Sequence, residues 1–176
     1  SRKSIETIRQ RRTMKSLFLV AFIMFASFGQ AELPLIQLMK ERHSGRGYDA
    51  AKPMQSHQLY LLAQAAQATS SSYNEQPWHF VFCNRQLTPE AFKKALGCLQ
   101  ESNQAWAKNA QTIILTIAKI NGKNGKPNAF ALYDTGAAAF SMALMAADLG
   151  LMAHQAGGFY PEKVRKEFSI PAEYTP

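Results

Sequence analysis

From Ala131 to Leu149 the chain runs on Ala, Met, Leu and a few small polar side chains, with Asp134 and Asp148 as its only charges. A helix of this composition has no broad polar face. It is expected to be buried on most sides, a subunit interface being one way to cover it. Its small residues let another helix approach closely, and Gly150 ends it. Any fold for this chain must therefore be assembled around this segment.

The elements that could surround it are mixed. Leu33 to Glu41 reads as a short helix with apolar residues at 35, 36, 38 and 39 and Pro34 in its first turn. Ser56 is the expected N-cap of a helix from His57 to about Thr69. Trp78 to Cys83 is dense in aromatic and β-branched residues and reads as a strand, and Thr112 to Ile120 is a clearer one. Thr88-Pro89-Glu90 opens a helix expected to reach Gln100. Asn121 to Asn128 is a Gly, Lys and Asn loop without the spacing of a phosphate-binding P-loop. Pro161 to Phe168 is a final amphipathic helix. No regular βαβ alternation or internal repeat is visible, so the fold class is α+β.

The first thirty-odd residues differ from the rest. Residues 17–28 are uncharged and nearly all apolar, but too few for the roughly 20 that a spanning helix needs. They follow Met14 and Lys15 and precede Gly29-Gln30-Ala31, the three-part pattern of a secretory signal cut before Glu32. Arg11-Arg12 also has the rough form of a twin-arginine signal. A buried helix of the fold is the alternative. Residues 1–31 are thus expected to be a basic, signal-like leader, with export or membrane contact through 17–28, and residues 32–176 the folded domain. The net charge of +8 belongs mostly to this leader: residues 1–16 hold six basic side chains against Glu6 alone. The body is nearly balanced, which argues against a nucleic-acid partner. Cys83 and Cys98, the only two cysteines, exclude a disulfide scaffold and a four-cysteine zinc site, and no metal site is expected.

Three short segments carry chemistry. Arg42-His43-Ser44-Gly45-Arg46, if extended, places Arg42, Ser44 and Arg46 on one face, a fork for a phosphate; a solvated basic turn is equally compatible. Ser71-Ser72-Tyr73-Asn74-Glu75-Gln76-Pro77-Trp78 offers hydroxyls and amides suited to a neutral heteroaromatic ring, or to capping a loop. Gly157-Gly158 allows a flat ligand to approach the backbone, or simply makes a turn.

Taken together, these segments, the small-residue helix ending Leu149-Gly150-Leu151, and Gly-Gly-Phe-x-Pro-Glu-Lys-Val-Arg from Gly157 resemble the FMN-dependent nitroreductase family over roughly Leu33 to Pro176. The resemblance implies a homodimer with a central, mainly antiparallel sheet flanked by helices and one FMN in each of two interface sites. It implies that Arg42, His43, Ser44 and Arg46 hold the phosphate, ribityl and pyrimidine edge, and that Ser71, Ser72 and Asn74 come from the partner chain. Asn103 would contact the isoalloxazine, and Gly157 and Gly158 would lie against the ring. No catalytic side chain is implied, because the flavin carries the chemistry: NADH or NADPH reduces it and nitroaromatics, quinones or other small acceptors reoxidise it in a ping-pong cycle. The family default is cytoplasmic, against the leader. Ser70 stands where relatives have Pro. Relatives also continue past Pro176 into another strand and a C-terminal segment that embraces the partner. An incomplete domain is therefore implied, and a degenerate flavin-binding homologue is the alternative to an enzyme.

Overall fold

The computed structural model describes residues 33–176. The expected leader, its cleavage point and the domain boundary before Glu32 lie outside the described residues. The chain divides into two units, 1–37 and 38–176, and the first helix, α1 (Pro34–Glu41), crosses that division.

The second unit is built on a three-stranded antiparallel sheet in the order β1 (Trp78–Asn84), β2 (Thr112–Lys119), β3 (Tyr174–Thr175). β1 and β2 pair along their whole length, from Trp78 opposite Ala118 to Asn84 opposite Thr112. β3 adds the pairs Ala118–Thr175 and Lys119–Tyr174. Period two then sorts the side chains. Trp78, Phe80, Phe82 and Ile114 face α2 (Ser56–Gln67) and α5 (Ala131–Asp148), where Leu62, Ala66, Ala138, Met142 and Ala146 form the larger core. Val81, Cys83, Ile113 and Leu115 face the opposite way, onto Phe92, Ala95 and Leu96 of α3 (Pro89–Cys98) and Phe168 of α6 (Pro161–Phe168). The sheet is thus covered on both faces.

Several local expectations are corrected. Gln55, not Ser56, is the N-cap of α2; Gln58 Oε1 reaches back to accept the Gln55 N–H at 2.9 Å, completing a capping box. The helix expected over Thr88–Gln100 stops at Cys98. Leu99 leaves it to pair with Phe159, and a separate helix, α4 (Glu101–Ala107), begins at once. α5 is less buried than its composition implies. Of its buried residues, Ala131, Asp134, Thr135, Ala138, Met142 and Ala146 follow one stripe, whereas Leu132, Tyr133 and Phe140 lie outside it and are exposed, Tyr133 by 78%.

The expected membrane contact does not stand. Among the described residues no helix is long and apolar enough to cross a membrane. The longest of them, α5, has 18 residues, short of the roughly 20 a span needs, and carries Asp134 and Asp148. The run at 17–28 on which the expectation rested lies outside the described residues.

Candidate functional site

Arg42 to Arg46 follows α1 outside any helix or strand. Its centre is held by two contacts from the 152–154 segment. A Cβ on Gly45 would run into Met152 Sδ, so the close approach requires glycine or a displaced methionine. His154 Nδ1 lies 3.1 Å from Gly45 O, its N–H donating to the carbonyl. The His154 ring packs on Trp106 of α4 with centroids 4.5 Å apart, and Tyr48 stacks on the same indole at 5.9 Å. Burial pushes the Tyr48 phenol above its ordinary pKa, so it stays a neutral part of this stack. The Arg46 guanidinium lies 6.0 Å from the Trp106 ring centre, and that of Arg42 lies 5.9 Å from the ring of Phe140 on α5. Among the described residues neither guanidinium is in an ion pair. His43 turns back to α1, with Nδ1 3.0 Å from Glu41 O. Ser44 is exposed beside it.

Asn103 of α4 connects this group to the Gly157–Gly158 loop. Its Nδ2 donates to Gly158 O at 3.0 Å, and its Oδ1 accepts the Trp106 indole N–H at 3.3 Å. An amide has two protons and two lone pairs, so each end keeps one position free. Gly158 O also accepts the Gln100 N–H at 2.9 Å. A Cβ on Gly158 would stand 2.5 Å from Asn103 Nδ2, whereas a Cβ on Gly157 would meet nothing within 4 Å. The loop is therefore closed on its Asn103 side and open at Gly157, where a flat group could lie against the backbone. Its position is fixed by the Leu99–Phe159 pairing and by Tyr160 N–H donating to Cys98 O at 2.9 Å. Tyr160 also donates to Glu101 at 3.0 Å. The Glu101 carboxyl is held below its usual range, first by a backbone N–H and then by this hydroxyl.

Ser71, Ser72 and Asn74 lie in a different place, a turn against the first part of α5. Asp134, buried there, accepts the Ser72 N–H on Oδ2 at 3.0 Å, and Ser71 Oγ accepts the Gln76 N–H at 3.0 Å. Among the described residues no hydrogen bond joins this turn to Arg42–Arg46 or to the glycine loop. Of the ten expected site residues, Arg46, Asn103 and Gly158 are thus linked through Trp106, Arg42, His43 and Ser44 adjoin Arg46 in the chain and Gly157 adjoins Gly158, whereas Ser71, Ser72 and Asn74 lie apart.

Residues 39–176 match the model of the Nitroreductase family. The chain belongs to this family. It is similar to an oxygen-insensitive NADPH nitroreductase of Helicobacter pylori, 34% identical over 79 residues, which are 45% of this chain and 36% of the relative. It is also similar to the major NAD(P)H-flavin oxidoreductase of Aliivibrio fischeri, 25% identical over 50% of this chain and 40% of that one. These matches span well under half the length of the curated relatives. Among solved structures, an oxidoreductase containing FMN superposes with a TM-score of 0.75 at 34% identity, covering 83% of this chain and 74% of that one. A nitroreductase family protein from Clostridium difficile 630 shares the fold, with a TM-score of 0.65 at 24% identity over 80% of this chain and 77% of that one.

Within this nitroreductase fold, sequence reading missed Trp106, His154 and Met152. Trp106 had a usable signal, because Asn103 and Trp106 are three apart and share one face of a helix. His154 and Met152 had none. Their role depends on Gly45, which is 109 residues from His154 in the chain.

Proposed function

We propose that this chain is a flavin oxidoreductase that binds FMN at the interface of a homodimer. In this reading it transfers reducing equivalents from NADH or NADPH to small acceptors such as nitroaromatics or quinones in a ping-pong cycle. The observation that carries the reading is the run of contacts from Arg46 to Trp106, from Trp106 to His154 and Asn103, and from Asn103 to a glycine loop left open at Gly157, with neither Arg42 nor Arg46 in an ion pair among the described residues. A ligand with an anionic end and a flat ring fits both ends of that run, and the donors present suit FMN. The names of the Helicobacter and Aliivibrio relatives, and of the FMN-containing structure, support the same class of cofactor and donor.

When bound, the flavin would supply the two-electron chemistry, and the chain's residues bind and tune it. Arg42 and Arg46, with His43 and Ser44, would hold the phosphate, ribityl and pyrimidine edge. The fixed charge of Arg46 would favour negative charge on that edge without reorganisation. The free positions of the Asn103 amide and the backbone at Gly157 and Gly158 would orient the ring. Ser71, Ser72 and Asn74 would reach the site from the partner chain. Exposed Leu132, Tyr133 and Phe140 on α5 supply an apolar surface for such a partner.

The test is the absorbance spectrum of the purified protein, followed by NADH and NADPH oxidation with a quinone acceptor. Flavin bands and turnover support the reading. Folded but colourless protein that does not take up added FMN contradicts it. Bound flavin without turnover would instead identify a flavin-binding homologue that is not an enzyme.

A further inference from the structure

The Ser71–Gln76 turn has a backbone that its residues do not favour. Tyr73, Asn74 and Gln76 lie at φ +53°, +52° and +49°. That left-handed region suits Asn but is costly for a bulky residue such as Tyr. The Tyr73 side chain is 93% exposed, so no burial within the chain offsets the cost. Backbone strain of this kind persists only where the surroundings over-determine it. Two supports, Asp134 on Ser72 and Ser71 on Gln76, grip the ends of the turn. Within the turn Asn74 N–H donates to Ser71 O and Glu75 N–H to Ser72 O, both at 3.0 Å. Two further supports come from a hairpin nearly fifty residues away. Glu75 Oε2 accepts the Lys123 N–H at 3.1 Å, and Lys123 Nζ donates to Asn74 O at 3.2 Å. The hairpin is closed on itself. Asn121 pairs with Pro127, Gly122 N–H donates to Lys126 O at 2.8 Å, and Asn124 Oδ1 accepts the Lys126 N–H at 3.0 Å.

We infer that Glu75 and Lys123 form a two-point clamp through which the 121–127 hairpin holds the Ser71–Gln76 turn in its cofactor-ready shape. Both are positioning residues: they grip the backbone and side chain at Asn74 and Glu75 and need not touch the cofactor. The inference rests on the proposed reading that Ser71, Ser72 and Asn74 serve a flavin. With the clamp removed, Tyr73 and Asn74 can relax to the right-handed region, and binding must then restore the turn at the cost of affinity. Glu75 acts as an oxygen acceptor for a backbone N–H, so a glutamine can replace it. An alanine cannot.

The experiment is fluorescence titration of the flavin-stripped full chain with FMN, comparing wild type with Glu75→Ala, Glu75→Gln, Lys123→Met and Arg42→Ala. Glu75→Ala should weaken binding about tenfold, equivalent to ~1.4 kcal/mol. Glu75→Gln should stay within about threefold of wild type, because the acceptor is retained. Lys123→Met should lie between them, and the Glu75→Ala/Lys123→Met pair should be non-additive, because both act on one turn. The thermal midpoints of the stripped proteins should stay close together, since the clamp is at the surface. Glu75→Gln binding as weakly as Glu75→Ala would overturn the clamp in favour of a charge effect. So would wild-type affinity in Glu75→Ala while Arg42→Ala loses binding. Wild-type affinity in Arg42→Ala would remove the flavin assignment itself, and the clamp with it.

Discussion

Arg42–Arg46 and Ser71–Gln76 are the two polar arms of the proposed site, which lie apart within one chain, and the fold secures them differently. The first is held by packing. Met152 fills the space beside Gly45, His154 hydrogen-bonds its carbonyl while packing on Trp106, and no residue of the segment sits at positive φ. The second has three non-glycine residues at positive φ and is held by hydrogen bonds from Asp134, Ser71, Glu75 and Lys123. In a packed arm the functional groups can be changed one at a time while the backbone stays put. In a strained arm the supports matter as much as the groups that they present.

The largest expected effect comes from the packed arm. Arg42→Ala and Arg46→Ala should each weaken FMN binding by about 1.5–3 kcal/mol, the scale of one charge-assisted hydrogen bond, with little change in unfolding free energy. Titration alongside urea unfolding checks both parts. A double variant that binds FMN as wild type does would show that this arm is a solvated basic turn.

A smaller effect, of the opposite kind, is expected at the strained arm. Asp134→Ala leaves the part-buried Ser72 N–H without its acceptor and should destabilise the fold by about 1–3 kcal/mol in urea unfolding. Asp134→Asn retains an acceptor oxygen and should recover most of that loss. Equal loss in both variants would mean that the carboxylate's charge, not its hydrogen bond, supports the turn.

The smallest effect on binding is expected outside both arms. Cys83, fully buried between β1 and α3, has its thiol pushed up to about 11, first by burial and then by Cys98. Its folded pKa lies above the unfolded value of about 8.5. The stability it contributes is thus fully present below that value and is lost as pH rises through about 11. Unfolding free energy should fall over that window, and the fall should flatten in Cys83→Ala. FMN affinity at neutral pH should not change in that variant.

The same contrast explains what the sequence could reveal. Both long strands and α5 were legible because their patterns are local: aromatic and β-branched residues crowded into Trp78–Asn84 and Thr112–Lys119, small apolar residues from Ala131 onward. The end of α3 was not, because Leu99 leaves the helix to meet Phe159, sixty residues later. The uncovered side of α5 was hidden too, since its apolar residues do not say which neighbour is present within one chain. In the candidate site, motif residues were legible by type and spacing. The groups that position them were not: His154 reaches Gly45, Asp134 reaches Ser72 and Lys123 reaches Asn74, each across a separation that only the fold closes.

The central claim is that the two arms meet across a subunit interface, and mixing protomers tests it directly. One variant would carry Arg42→Ala and Arg46→Ala, the other Ser71→Ala, Ser72→Ala and Asn74→Ala, each binding FMN poorly alone. Dissociated, mixed and reassociated, they form mixed dimers. If the arms act in trans, each mixed dimer regains one site in which both arms are intact, and FMN titration shows a new class of sites with wild-type affinity. No recovery in mixed dimers, whose formation is verified by sedimentation of differently tagged chains, would contradict the account. So would a flavin-loaded monomer of the unmodified protein.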